Sequence, residues 1–278
     1  IGLCVVRRLL ASGAAVLAMS RGDAIPYQHE HLRWIKGDLT DEALHLQGYL
    51  VDMVVHCAPL WHLPQTIDLL ADAEVKRIVA MSSTSIYGKM LSRNPHEKML
   101  VEKLNQAEAE IMERAALLSI DATIMRPTAA YGIGLDVGIT TIAKFSHFLG
   151  FFPVYPPAFG RRQPVHVDDV AMAAMLAMQN PQTYGKSYNI SGGEVLTYRE
   201  MLEHIFAVCG KKIRIRETTI LPFLLDVAGS LSRKKHINGE IARRMNDDLM
   251  FFHDEARQDF AYAPRKFLSG GMKDLEGY

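Results

Sequence analysis

Over residues 2–12 (GLCVVRRLLAS), apolar positions recur at helical spacing: Leu3, Val6, Leu9 and Leu10 share one face, and Gly13 stands where a C-terminal cap belongs. A short apolar run at 14–19 follows and closes at Ser20, Arg21, Gly22 and Asp23, the pattern of a strand buried on both faces. The alternation then repeats. Strands are predicted at 32–35, 53–57, 77–82 and 122–126, and helices around 41–50, 64–74 and 95–118. Such an order predicts right-handed crossovers and a parallel sheet with helices on both faces.

The helix at 95–118 has the clearest register. Asn94 supplies an N-cap, Pro95 a first-turn proline and Glu97 a capping-box acid, while Leu100, Leu104, Ala107, Ile111 and Ala115 form its apolar stripe. Beyond about residue 132 the pattern changes. Gly and aromatic residues dominate to 160; a strand at 163–167 leads into a helix at 168–180, and Thr197 with Glu200 forms a capping box for a helix running to Gly210. This second region reads as a smaller lobe.

With 278 residues, 49% hydrophobic and 22% charged, the chain can bury a substantial core. Its 31 Lys and Arg balance 31 Asp and Glu, so no global field favours nucleic acid or an anionic surface, and any anion site must be built locally. Cys4, Cys57 and Cys209 are widely spaced and show neither zinc spacing nor a disulfide framework, which fits a reducing, cytoplasmic setting. No charge-free apolar run approaches about 18 residues, so no transmembrane segment is expected. The longest apolar stretches are 220–231, interrupted by Asp226, and the aromatic stretch 145–159; each reads as a lid, a core element or an interfacial segment.

Seven segments in order resemble the extended short-chain dehydrogenase/reductase superfamily, the group of NAD-dependent epimerases and dehydratases. They are the opening IGLCVVRRLLASG, GDLTD at 37–41, DMVVHCA at 52–58, SSTSIYG at 82–88, IMRPTAAYG at 124–132, RQPVHVDDVA at 162–171 and YNISGGEVLTYRE at 188–200. The resemblance implies an α/β fold: a doubly wound, Rossmann-type parallel sheet with a smaller C-terminal α/β substrate lobe. It implies a dinucleotide-binding domain over 1–132, with 163–190 returning to it, and a substrate lobe from 133–162 and 191–278. In such relatives a strand and a G-x-x-G-x-x-G loop precede the first helix, the pyrophosphate resting on the helix N-terminus. Gly2 corresponds to the last of those glycines, so the first strand and the rest of the loop are expected upstream of Ile1.

By the same resemblance Asp38 and Leu39 flank the adenine, Ala58 and Pro59 line the cofactor, and Arg126 and Pro127 lie toward the nicotinamide. Asp38 could instead only cap its own turn. At the end of the second strand an acid would bind the ribose 2′-hydroxyl and a base a 2′-phosphate. Ser20 and Arg21 stand there, which favours NADP over NAD unless Arg21 is only a solvated surface residue.

Family chemistry uses a Ser or Thr, and a Tyr and Lys spaced Y-x-x-x-K; the tyrosine exchanges a proton with the substrate, and the lysine lowers its pKa and holds the ribose. Ser83 matches the hydroxyl position and Lys103 the lysine, but Met99 stands where the tyrosine belongs. Three explanations compete: the register is shifted, with His96 and Lys98 as the nearby polar candidates and no tyrosine between 88 and 130; or Tyr87, Tyr131 or Tyr155 takes over from a loop; or the usual acid/base step is lost and Lys103 is an ordinary solvated lysine. Tyr131, Arg161 and Arg162 are the candidate substrate contacts alongside Ser83, the two arginines as a fork for a diphosphate. His166, Asp168 and Asp169 read as a helix start rather than a metal site. The resulting expectation is an NAD(P)-dependent epimerase, dehydratase or reductase that transfers hydride on a nucleotide-sugar or related carbonyl/alcohol substrate, with a homodimer allowed. The alternative is a cofactor-binding sensor or assembly protein without turnover.

Overall fold

A computed structural model describes residues 1–22, 28–41, 46, 48–149, 151–212, 214–232 and 237–276. Helix α1 (Gly2–Ala11) ends at Gly13, whose φ of +84° places it in the left-handed region that glycine enters without a Cβ clash. Strands β1 (Val16–Ser20) and β2 (Leu32–Lys36) then pair in parallel, Val16 opposite Leu32. Half of the helix expected at 41–50, residues 42–45 and 47, lies outside the described residues.

The alternation continues through β3 (Met53–His56), α2 (Leu63–Asp72), β4 (Arg77–Met81), α3 (Ser85–Gly88), α4 (Pro95–Leu117) and β5 (Asp121–Pro127). Strand β6 (Ala130–Tyr131), helix α5 (Ile139–Leu149), strands β7 (Phe152–Val154), β8 (Arg161–Arg162) and β9 (Val165–His166), and helix α6 (Val167–Met178) lead to β10 (Lys186–Ile190). The parallel sheet runs β10-β5-β4-β3, and among the described residues no strand joins β3 to the β1–β2 pair.

All five residues of β4 are buried, and alternate ones serve opposite faces. Ile78 and Ala80, with Ala122 and Ile124 of β5, pack against α2 and α4 through Ile67, Leu104 and Ile111. Val79, Met81 and Met125 meet Val170, Ala173 and Ala177 of α6 on the other face. Fully burying each large apolar side chain contributes roughly 1.5–3 kcal/mol, so this two-sided strand organises the core. The Arg77 guanidinium is also buried; the carbonyl oxygens of Ile78, Asp121 and Ala177 and the hydroxyls of Thr123 and Thr183 accept its hydrogen bonds.

The strand expected at 163–167 is shorter. His166 turns its Nδ1 to accept the Asp168 amide at 3.2 Å and so caps α6, which starts at Val167. Asp168 then accepts two bonds of 2.7 Å from Arg8 of α1 and one of 2.8 Å from Arg265, while Asp169 accepts from the Arg265 Nε at 2.8 Å. These carboxylates tie α1 and the C-terminal segment to α6.

The remaining elements are β11 (Leu196–Thr197), α7 (Tyr198–Val208), β12 (Ile215–Glu217), α8 (Leu221–Ser232), α9 (Glu240–Arg243) and α10 (Asp254–Phe260). β11 pairs antiparallel with β8, and β12 parallel with β7. The capping box forms as expected: Thr197 accepts the Glu200 amide at 3.2 Å, and Glu200 accepts the Thr197 amide at 2.7 Å. Val154, Leu202, Leu221, Ala242 and Met245 make a separate small core here. Helix α10 returns to the sheet, where Ala256 and Phe260 join Tyr188. No helix among the described residues is long and apolar enough to cross a membrane.

Candidate active site

In a parallel sheet every strand ends on the same edge, and ligands bind outside those ends. At the end of β1, Ser20 accepts the Gly22 amide at 3.2 Å and Arg21 is exposed. After β2, Asp38 accepts the Thr40 amide at 3.0 Å and the Thr40 hydroxyl at 2.8 Å, so it does cap its own turn. Those bonds hold the Asp38 carboxyl below the usual range, with smaller help from the positive fields of Arg21 and His62. Arg21, Asp38 and His62 thus face one neighbourhood although they come from three separate strand ends. Leu39 beside them is half-buried.

After β3 the chain passes Cys57, Ala58 and Pro59 into a helical turn at 60–62. Beneath it His56 is buried, which pushes its pKa down to about 4, and its Nε2 lies 3.4 Å from the Pro59 carbonyl oxygen. At neutral pH it is an uncharged buttress for this turn. Gly2 adjoins the same place: a Cβ built there would lie 3.5 Å from the Cys57 Cβ, so the start of α1 abuts the end of β3. The Lys103 ammonium lies 5.7 Å from the centre of the Trp61 ring, within cation–π range. That contact brings α4's lysine to the rim formed by Ala58 and Pro59. One turn earlier on α4, Met99 is 49% exposed, so the position is open.

After β4, Ser83 accepts the Ser85 amide at 3.1 Å, and its hydroxyl donates to the Ser85 hydroxyl at 3.0 Å. Tyr87 follows on α3, 41% exposed, its ring 5.4 Å from that of Phe251. The Arg126 Nη1 donates to the Tyr87 hydroxyl at 2.8 Å. Arg126 also donates through Nε and Nη2 to the buried carboxylate of Glu108, which accepts the Ser82 hydroxyl as well. The guanidinium of Arg126 is therefore committed to Glu108 and Tyr87, and Pro127 beside it is buried.

The remaining tyrosines are elsewhere. Tyr131 is 1% exposed, accepts the Leu268 amide at 3.0 Å and packs edge-on against His166 and Phe267; burial pushes its phenol well above its ordinary range. Its expected role at the substrate gives way to a core role. Tyr155 packs against the small core that contains Val154, Leu202 and Ala242. Arg161 and Arg162 do not form a fork, because neighbouring strand residues face opposite ways. Arg162 is buried and donates to the carbonyl oxygens of Arg161, Asp247 and Arg244. Arg161 is exposed and paired with Asp248, whose carboxyl its hydrogen bonds hold at about 2.

Sequence reading missed Trp61, Glu108 and Phe251 as neighbours of these residues. Glu108 left one usable signal: an acid beside the apolar stripe position Ala107 on a helix packed against the sheet.

Residues 65–191 match the NAD dependent epimerase/dehydratase family. It is the family that the motif series resembles, and the fold is that of its nucleotide-sugar enzymes. The chain is 23% identical to the 2-alkyl-3-oxoalkanoate reductase of Stenotrophomonas maltophilia (strain K279a), over 99% of this chain and 95% of that protein. The UDP-N-acetylglucosamine 4-epimerase from Bacillus cereus superposes with a TM-score of 0.71 at 15% identity, covering 99% of this chain and 91% of that one. The dTDP-glucose 4,6-dehydratase from Streptomyces venezuelae, solved with NAD bound, gives 0.69 at 19% identity, over 98% and 91% of the two chains. At such identities the structural likeness shows the family's fold.

Proposed function

We propose that this chain binds a nicotinamide dinucleotide along the strand-end rim and transfers hydride to or from a carbonyl or alcohol carbon, as an epimerase, dehydratase or reductase. The observation that carries the reading is Lys103 drawn by Trp61 to the rim at Ala58 and Pro59. Gly2 would let the pyrophosphate approach α1, Asp38 and Leu39 would flank the adenine, and Lys103 would hold the nicotinamide ribose. The group fits one further feature of the rim. Among the described residues the buried His62 Nδ1 has no hydrogen-bond partner, and a bound hydroxyl there would satisfy it. Arg21, exposed and beside Asp38, favours the 2′-phosphate of NADP.

When bound, the dinucleotide supplies the hydride acceptor or donor. Ser83 would orient the substrate oxygen, and Tyr87, held by Arg126, is an exposed phenol that could exchange its proton. A nucleotide-sugar is the substrate class most consistent with the family, and Arg161 is the exposed arginine available to its diphosphate if Asp248 releases it. Turnover is tested by following NADPH and NADH absorbance with a panel of nucleotide-sugars and small ketones; no absorbance change, epimerisation or dehydration across the panel would reject it.

Met99 favours a second reading, a cofactor-binding sensor or assembly protein without turnover. The variant Met99→Tyr separates the two. Activity gained only in the variant supports the second reading, whereas activity unchanged from the parent means that another residue already moves the proton.

A further inference from the structure

Helix α8 (Leu221–Ser232) is apolar on two opposite faces. Leu221, Pro222 and Gly229 are buried, and this side packs toward α9. On the opposite side Ile220, Phe223, Leu224, Val227 and Leu231 follow the spacing of a single helical stripe, and all are exposed, Phe223 by 66% and Leu231 by 82%. Asp226 lies off the stripe and accepts the Gly239 amide at 2.7 Å. A helix apolar on both faces is ordinarily covered on both, and a contiguous exposed apolar patch marks an interaction surface.

Charge identifies the cover. The segment leading into α8 brings Lys211, Lys212 and Arg214 ahead of β12 and Arg216 within it, all exposed and none in an ion pair among the described residues. The neighbouring acid, Glu217, is held by Arg199. Three further basic residues, 233–235, follow the stripe in the sequence. In a chain whose charges balance overall, this is a local positive field attached to an apolar stripe. Twelve helical residues extend about 18 Å, too short for the ~30 Å hydrocarbon core of a bilayer, so the helix can only lie along a surface.

We propose that α8 docks on an anionic lipid surface, its Phe223 and Leu231 side entering the boundary between headgroups and acyl chains and the lysines and arginines of 211–216 meeting the headgroup phosphates. The proposal is independent of the dinucleotide site.

The test is co-sedimentation of the full chain with phosphatidylcholine vesicles, with and without about 30% phosphatidylglycerol. Binding at least about tenfold stronger to the anionic vesicles is expected, weakening as salt rises. The double variant F223E/L231E should sediment no better than background while keeping its thermal midpoint, because both side chains are exposed in the folded chain. K211E/K212E should lose most of the preference for phosphatidylglycerol. Absence of binding to anionic vesicles, or binding unchanged in F223E/L231E, overturns the proposal. So does a dimer in sedimentation equilibrium that F223E/L231E dissociates without any vesicle binding by the parent, since a second copy would then cover the stripe.

Discussion

The Arg244 guanidinium grips both carboxylate oxygens of Glu97, at 2.5 and 2.8 Å, across 147 residues of sequence. Ser92 donates to the same carboxylate at 2.6 Å and the Lys89 ammonium lies 3.6 Å away. Glu97 opens α4, the helix that carries Met99 and Lys103, while Arg244 directly follows α9. The pair therefore ties the segment after α9 to the helix that carries the lysine.

Burial opposes ionisation of Glu97, but the hydrogen bonds from Arg244 and Ser92 and the charges of Arg244 and Lys89 outweigh it and bring its pKa down to about 2. The folded value lies below the ordinary 4.5, so the stabilisation is fully present above pH 4.5 and is lost as the pH falls toward 2. Glu97→Gln should cost roughly 3 kcal/mol at pH 7, toward the low end for breaking a buried pair. Urea midpoints measured against pH should show a shallower acid limb in the variant. Parallel limbs for the two proteins would mean that Glu97 contributes nothing through its charge.

Two glycines should respond differently to alanine. A Cβ on Gly192 would lie 1.9 Å from the Pro164 carbonyl oxygen, so Gly192→Ala should cost roughly 3 kcal/mol or more by forcing the backbone apart. Gly13 meets nothing within 4 Å and is constrained only by its φ of +84°, so Gly13→Ala should cost about 1 kcal/mol. Equilibrium denaturation of both variants checks the order.

Arg21 is expected to set cofactor preference. Arg21→Ser should weaken NADPH binding about tenfold, equivalent to about 1.4 kcal/mol, and leave NADH within about twofold. Fluorescence titration of parent and variant reads both constants. Equal or tighter NADH binding by the parent would remove the role given to Arg21.

Lys103→Ala and Ser83→Ala should each lower kcat about a hundredfold or more, the scale of a positioned acid/base group. Tyr87→Phe should do the same only if its phenol exchanges the substrate proton. Steady-state rates at several pH values distinguish the cases, because a positioning role for Tyr87 would raise KM and leave the pH profile of kcat in place.

Periodicity alone located most of the regular elements of residues 1–132, since buried parallel strands and amphipathic helices write their spacing directly into local sequence. The register of α4 was legible to the residue, and with it the relation of Met99 to Lys103. Other assignments failed where a side chain had two reasonable uses. Glu97 reads as a capping-box acid, yet in the fold Asn94 caps alone and Glu97 turns to Arg244. Arg161 and Arg162 read as a diphosphate fork, yet β8 sends them to opposite faces.

Local sequence was enough to read the alternating α/β order, the motif series that resembles the epimerase/dehydratase family, and a methionine rather than a tyrosine at position 99. Which charged groups are spent on the fold and which face solvent emerged from the packing of distant elements. Arg77, Arg126 and Arg162 are all arginines near predicted strands, but whether a guanidinium meets a carbonyl, a carboxylate or solvent depends on partners up to about a hundred residues away. Those pairings follow from the three-dimensional packing of the elements, which local spacing does not encode.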